Sequence, residues 1–100
     1  MFKKLFGSKT DFQELFNRGA VVIDVRTPNE YAQGAIPGSE NIPLQQISSR
    51  MKDFKKLDVP VICICASGMR SRAAMGQMKS AGVEAYNGGP WTKMIPFVED

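Results

Sequence analysis

The stretch VICICASGMRSRAAM, Val61 to Met75, decides the fold. Its first residues are apolar and largely β-branched, which is typical of a strand buried in a parallel sheet. A short loop that ends at Arg70 follows, and then a segment of helical character. Both cysteines of the chain lie here, separated by one residue. The pattern places Cys63 inside the strand, as a packed core residue, and Cys65 at the carboxyl end, where ligands bind in parallel sheets.

The loop from Cys65 to Arg70 has the residues of an anion-binding nest. A tight turn between a strand and a helix directs successive backbone N–H groups inward, and Gly68 supplies the conformational freedom for it. The helix from Ser71 directs the positive end of its dipole to the same point. Helix N-termini and nearby cations lower the pKa of cysteine from about 8.5 to roughly 3.5–7.5. Arg70 adds a permanent positive charge, so the pattern predicts a nucleophilic thiolate.

The composition restricts how such a thiol could be activated. The chain contains no histidine, which excludes Cys-His and Ser-His-Asp pairs and imidazole ligands. Two cysteines at i and i+2 form neither a zinc knuckle nor a CxxC redox motif, so we expect no metal. If Cys65 is active, the backbone and an arginine must activate it.

The net charge and the hydropathy of the sequence restrict the binding partners and the cellular compartment that we expect. The net charge of +3 comes from scattered lysines and arginines, which argues against nucleic-acid binding and fits a small anionic substrate weakly. No apolar segment is long enough to span a membrane, and the N-terminus lacks the features of a secretory signal. We therefore expect a cytoplasmic, thiol-reducing environment.

The 100 residues predict a single domain. We assign residues 1–9 to a short N-terminal extension and residues 10–100 to the domain. Phe2, Leu5 and Phe6 could form one amphipathic turn against a membrane or partner, although a frayed terminus or a packed arm is favoured. The role of this extension cannot be read from the sequence.

Strand and helix signals alternate along the domain, which predicts an α/β fold with a small parallel sheet flanked by helices on both faces. Thr10 and Gln13 form a possible capping box for a first helix, and Thr27 and Glu30 for a second. Apolar residues at helical spacing predict a third helix from Leu44 to about Leu57. Strands are predicted in AVVIDV, VPVICIC and VEAYNGG, and the last of them runs into a Gly-Gly turn. A further helix is predicted in SRAAMGQMKSAG, with Ser71 helping to start it. The segment from Trp91 to Phe97 is predicted to be a short helix or an irregular cover.

Three motifs together resemble a known family. VVIDVRTPNEYAQGAIPGSENIP, then CASGMRS, then Gly-Gly followed by Trp91, are similar to the sequences of rhodanese-like single-domain sulfurtransferases. The resemblance covers roughly Thr10 to Val98. The chain departs from the family's usual Gly-His-Ile-Pro-Gly, since Ala35 stands at the histidine, and Ile64 precedes the cysteine.

The resemblance implies the rhodanese-like three-layer sandwich and a catalytic Cys65. This cysteine would accept a sulfane sulfur from thiosulfate or a persulfide donor and pass it to cyanide or a thiol, on a small molecule or a protein. No cofactor is implied. Asp24 and Arg26 look like family signature residues: we interpret Asp24 as bracing a turn and Arg26 as forming an ion pair with Glu30 or the nearby chain, and Ser71 as a supporting residue. The residues that would bind the substrate are Ala66, Ser67, Gly68, Met69 and Arg70.

Two other functions stay open. One is a binding or sulfur-sensing module with little turnover, and the other is phosphatase or arsenate chemistry on the same loop. The loop of six residues, Cys65 to Arg70, is one residue shorter than that of related dual-specificity phosphatases, which favours sulfur transfer. The sequence names neither the physiological donor and acceptor nor the oligomeric state, and it leaves open a redox role for Cys63.

Overall fold

A computed structural model describes residues 9–98 of the chain. Residues 1–8 of the predicted extension, with the possible amphipathic turn, lie outside this range. The strands are β1 (Val21–Asp24), β2 (Glu40–Asn41), β3 (Val61–Cys65) and β4 (Ala85–Pro90). The α-helices are α1 (Phe12–Asn17), α2 (Pro28–Ala32), α3 (Met51–Lys55), α4 (Met69–Ser80) and α5 (Ile95–Val98), with 3₁₀ helices at Leu44–Gln46, Ser48–Arg50 and Trp91–Met94.

The four strands form one parallel sheet in the order β2-β1-β3-β4. Strand β3 lies between β1 and β4, and all five of its residues are buried, as its continuous apolar sequence predicts. Because the strands are parallel, their carboxyl ends meet at one edge of the sheet. Asp24, Cys65 and Pro90 each end a strand there.

Hydrophobic side chains cover both faces of the sheet. On one face, Cys63 and Cys65 pack with residues of α3 and α4, including Phe54, Ala74 and Met78. On the other face, Ile62 and Ile64 pack with residues of α1 and of the segment from Trp91. The predicted three-layer α/β fold is confirmed. No helix within residues 9–98 is both long and apolar enough to cross a membrane.

The helix boundaries correct several local predictions. The capping box of Thr27 and Glu30 is confirmed, with both hydrogen bonds present. Helix α1 instead begins after Asp11, whose carboxylate accepts a hydrogen bond from the N–H of Glu14, so Thr10 is not the cap. Aspartate and threonine both cap helices, and the two stand side by side in the sequence.

Two later elements also differ from their sequence patterns. The predicted third helix is divided into two 3₁₀ helices and α3, and the hydroxyl of Ser49 donates to the carbonyl of Gln46 at 2.8 Å. Such local hydrogen bonds compete with regular helix. Helix α4 begins at Met69 with Gly68 as its N-cap, so Ser71 lies inside the helix and does not start it.

The predicted Gly-Gly turn is part of strand β4. Cys63 pairs with Asn87 and the next residue, Ile64, pairs with Gly89, so Gly88 is an extra residue at a β-bulge. A Cβ atom at Gly88 would lie 2.7 Å from Cγ2 of Ile64. Only glycine fits this close approach without displacing the neighbouring isoleucine.

Candidate active site

Cys65 ends β3 with its Sγ atom inside the following loop. The backbone N–H of Gly68 donates to Sγ at 3.0 Å, and that of Ser71 donates at 3.4 Å. The hydroxyl of Ser71 lies 3.3 Å from the same atom. Cys65 itself is buried, whereas Ala66 and Ser67 at the rim are exposed. The sulfur thus occupies the centre of a nest of polar hydrogens.

Gly68 makes this loop possible. Its φ of 99° lies in the left-handed region, which L side chains rarely adopt, and it is the residue before the first turn of α4. A Cβ atom there would also contact the backbone of Gly89, 3.4 Å from its Cα. The turn directs the N-terminus of the twelve-residue helix α4 toward Sγ, so that the N–H of Ser71, which has no acceptor within the helix, donates to the sulfur.

The pKa values of the two cysteines are shifted in opposite directions. Burial acts to raise the pKa of Cys65, but hydrogen bonds from the hydroxyl of Ser71 and from the N–H groups of Ser71, Gly68 and Ser67 outweigh it, so the pKa is lowered. Burial raises the pKa of Cys63 to about 12, and its Sγ lies 3.7 Å from Sδ of Met78 in the core. Of the two thiols, Cys65 is therefore the one that ionises more readily.

Arg70 is already paired in this structure. Its guanidinium donates to both carboxylate oxygens of Glu30, at 2.8 and 2.9 Å. The bond from Arg70 and that from the N–H of Thr27 lower the pKa of Glu30 to about 2. The sequence predicted that Arg70 would contact an anion, and the structure shows a protein carboxylate in contact with it. The pairing joins the loop to α2.

A groove runs beside Arg70, and Met69 borders the loop with 75% of its surface exposed. The groove has a volume of about 430 Å³. Its mixed apolar and polar lining consists of Val25, Thr27, Pro43, Leu44, Gln45, Ser48, Arg70 and Gln77. A molecule that reaches the loop therefore has an exposed thioether and this groove next to it.

Asp24 and Arg26 form a buried ion pair at the end of β1 and make no hydrogen bond to Sγ of Cys65 within the described residues. Nη2 of Arg26 donates to Asp24 at 2.8 Å, and to the carbonyl of Gly34 at 2.7 Å. Its guanidinium also lies over the Trp91 ring, 4.9 Å from the centroid. Arg26 was predicted to pair with Glu30 or the nearby chain, and its ion pair is with the nearby Asp24. Glu30 offers Arg26 only its backbone carbonyl, because its carboxylate is held by Arg70. Asp24 also accepts the N–H of Arg26 at 3.0 Å, which closes the turn.

Asn87 also belongs to the group of residues around Cys65, although no sequence motif indicated it. The hydroxyl of Ser71 donates to Oδ1 of Asn87 at 2.7 Å, and Nδ2 of Asn87 donates to the carbonyl of Gly68 at 3.2 Å. The position directly before the Gly-Gly pair was the one signal that could have indicated it. The contact depends on the bulge in β4, which a one-dimensional pattern does not reveal.

Comparison with known proteins places these observations in a family. The model of the family described as "Rhodanese-like domain" matches residues 8–90, which contain Cys65, the loop, Glu30 and Asn87. The chain is 42% identical over 83 residues to the uncharacterized protein YqhL of Bacillus subtilis, covering 79% of this chain and 65% of that protein. It is 40% identical over 72 residues to the thiosulfate sulfurtransferase GlpE of Pseudoalteromonas translucida, covering 71% and 68% respectively.

Solved structures agree with the sequence comparisons. The human single-domain sulfurtransferase TSTD1 superposes with a TM-score of 0.70 at 27% identity, covering 86% of this chain and 90% of that one. The chain spans about two thirds of the length of the two bacterial relatives and most of the human one.

Proposed function

Because the chain belongs to the rhodanese-like domain family, we propose that it is a sulfurtransferase in which Cys65 carries the transferred sulfur. The observation that carries the proposal is the position of Sγ, which accepts hydrogen bonds from the N–H groups of Gly68 and Ser71. These donors stabilise a negative charge on sulfur without histidine or a metal. The name of the Pseudoalteromonas relative, a thiosulfate sulfurtransferase, supports the same reaction class.

The proposed reaction has two displacements at sulfur. The Cys65 thiolate attacks the outer sulfur of thiosulfate, the S–S bond of the donor breaks, and sulfite leaves with the bonding electron pair. Cys65 then carries a persulfide. A thiolate acceptor attacks the outer sulfur of the persulfide, and the Cys65 thiolate leaves. With cyanide as the acceptor the product is thiocyanate, and neither route needs an external oxidant or reductant.

The loop is proposed to bind the substrate through its backbone. The N–H groups from Ala66 to Arg70 would hold the outer sulfur and the anionic end of the donor, as N–H groups do in anion nests. Because both carboxylate oxygens of Glu30 hold the guanidinium of Arg70, we assign Arg70 to fixing the loop and, through its position beside it, to steering the donor. Exposed Met69 and the groove beside Arg70 are accessible to a thiol acceptor, either a small molecule or a protein.

We propose a cytoplasmic setting and a catalytic domain of residues 10–100. Both cysteines are free thiols, and a reducing compartment would keep Cys65 ready to accept sulfur.

Intact-protein mass spectrometry after treatment with thiosulfate tests the proposal. We expect the protein to gain one sulfur atom that cyanide removes, and we expect Cys65→Ser to gain none. Cys63→Ala is the matched control, since it removes the other thiol, and it should load like the wild type. A wild type that gains no cyanide-labile sulfur, or a Cys65→Ser variant that turns over normally, would refute the function.

A binding or sulfur-sensing module is the second candidate, favoured by the exposed Met69 beside the loop. It predicts persulfide formation on Cys65 with little turnover under any acceptor, together with a tight protein partner. Phosphatase chemistry on the same loop predicts hydrolysis of an aryl phosphate, and the loop length argues against it. Assays with several donor and acceptor pairs, and with an aryl phosphate, separate the three functions.

A further inference from the structure

Asn87 connects the loop, helix α4 and strand β4 through one side-chain amide. Its Oδ1 accepts the N–H of Gly89 at 2.9 Å and the hydroxyl of Ser71 at 2.7 Å, and its Nδ2 donates to the carbonyl of Gly68 at 3.2 Å. The backbone partners fix the orientation of the amide, because an N–H can only donate and a carbonyl can only accept. Oδ1 therefore faces Ser71, and the Ser71 hydroxyl must be the donor.

We propose that Asn87 is a positioning residue for Cys65: it holds the catalytic loop at Gly68 and directs the Ser71 hydroxyl that contacts the sulfur. This inference rests on the proposed function, since it assigns a role within the same site. Ser71 is fully buried, so its hydroxyl has no free access to water, and its two polar neighbours are Sγ of Cys65 and Oδ1 of Asn87.

The Ser71 hydroxyl has one proton and two acceptors. When Cys65 is a neutral thiol, its S–H can donate to Oγ of Ser71 while Ser71 donates to Asn87. A thiolate has no hydrogen, so stabilising it requires the hydroxyl to turn from Oδ1 to Sγ. Oδ1 keeps the N–H of Gly89 and is not left unsatisfied. Asn87 thus competes with the thiolate for the hydroxyl.

The same competition would operate during turnover. Persulfide formation moves the charge from Sγ to the outer sulfur, and the hydroxyl is then free to return to Asn87. Departure of the sulfur restores the thiolate at Sγ, and the hydroxyl turns back to it. The orientation of Ser71 would therefore follow the charge on Sγ through the cycle.

The charged side chains around the site are the same in the wild type and in alanine variants at Asn87 and Ser71. Arg70, in the loop, is paired with Glu30 of α2, and Arg26 is paired with Asp24 at the end of β1. Variants at Asn87 and Ser71 leave these four side chains in place. A change in the acidity of Cys65 that requires Ser71 can then be traced to the hydroxyl.

A double-mutant cycle of Asn87→Ala and Ser71→Ala tests the inference, measured as the pH profile of Cys65 alkylation by iodoacetamide in a Cys63→Ala background. Loss of a competing hydrogen bond should raise the alkylation rate at a fixed pH below the midpoint about threefold to tenfold in Asn87→Ala. With Ala at position 71 the same substitution should give no such increase, because no hydroxyl is left to redirect, and loss of the Asn87 contact to Gly68 can only lower the rate. No change or a decrease in the Ser71 background, or an equal change in both backgrounds, would overturn the inference.

Two further variants keep the test decisive. Asn41→Ala removes another asparagine, whose Nδ2 bonds the carbonyls of Asp24 and Arg26, and it should leave the profile unchanged. If Asn87→Ala does not fold, Asn87→Asp replaces it. Its carboxylate should hold the hydroxyl more tightly and slow alkylation, more so with Ser71 than with Ala at that position, and equal slowing overturns the inference. Alkylation needs no sulfur donor, so its result is independent of whether thiosulfate loads Cys65.

Discussion

Glu30 shows how one side chain serves two elements. Its Oε1 accepts the N–H of Thr27 at the start of α2 and also Nη1 of Arg70, each at 2.8 Å. The capping role could be predicted, because Thr27 and Glu30 are three residues apart. The contact with Arg70 joins residues 40 positions apart, and no local pattern indicates it. At the residue scale, sequence therefore predicted the short-range half of the interaction.

Replacing Glu30 by glutamine should change how stability depends on pH. The folded-state pKa of Glu30, about 2, lies below its ordinary value of 4.5, so its ionised form stabilises the fold. That contribution is fully present above about pH 4.5 and is lost as the pH falls through about 2. Urea unfolding at neutral pH and at several points in this window should show a shallower decline for Glu30→Gln than for the wild type.

Glu14→Gln is the control for this experiment. Glu14 is exposed on α1, and its replacement should leave the wild-type slope in place. Parallel declines for Glu30→Gln and the wild type would show that the carboxylate of Glu30 does not supply the pH dependence.

At the scale of the elements, the bulge in β4 determines the shape of the site. With the extra residue at Gly88, the side chain of Asn87 reaches the loop at Gly68, and the N–H of Gly89 donates to that same side chain. The buried strands β1 and β3 and the box at α2 follow from short-range patterns and were predicted. The bulge was not, because it depends on how β4 aligns with β3.

Alanine substitutions at two glycines should have opposite effects on stability. Gly88→Ala places a methyl group 2.7 Å from Ile64 and 2.8 Å from Ile62, and such overpacking typically costs about 1–3 kcal/mol. Gly76 lies within α4, where an added Cβ meets nothing within 4 Å. Gly76→Ala should stabilise the protein by about 0.5–1 kcal/mol, because glycine lowers helix stability.

Chemical denaturation of both variants measures these changes in the free energy of unfolding. A neutral Gly88→Ala would mean that the isoleucines move aside at no cost and that the bulge is not set by packing. Gly76→Ala provides the internal reference, since the same methyl group is added in open space.

At the scale of the whole molecule, the site is assembled from three separate parts of the chain. Glu30 comes from α2, Cys65 and Ser71 from the loop and α4, and Asn87 from β4. That Cys65 lies at the carboxyl edge of a parallel sheet could be predicted from alternating strand and helix signals. Which polar side chains from other segments meet it there depends on strand register and side-chain direction. Asn87 and the pairing of Arg70 with Glu30 were missed for this reason.

The buried position of Cys63 makes the chain its own reporter of unfolding. Cys63 is fully buried in the central strand β3, and its pKa is raised to about 12. In a Cys65→Ser background a thiol reagent should reach it only when β3 separates from its neighbours, which requires the most stable part of the fold to open. Cys65, two residues later, reports instead on the intact site.

The labelling rate of Cys63 in that variant should yield an opening free energy equal to the free energy of unfolding from urea denaturation of the same protein. This opening free energy should also fall with urea at the same slope. An opening free energy that is smaller and insensitive to urea would indicate a local fluctuation of β3. If the two free energies agree, two thiols separated by one residue report separate events: Cys65 reports readiness for chemistry, and Cys63 reports loss of the native state.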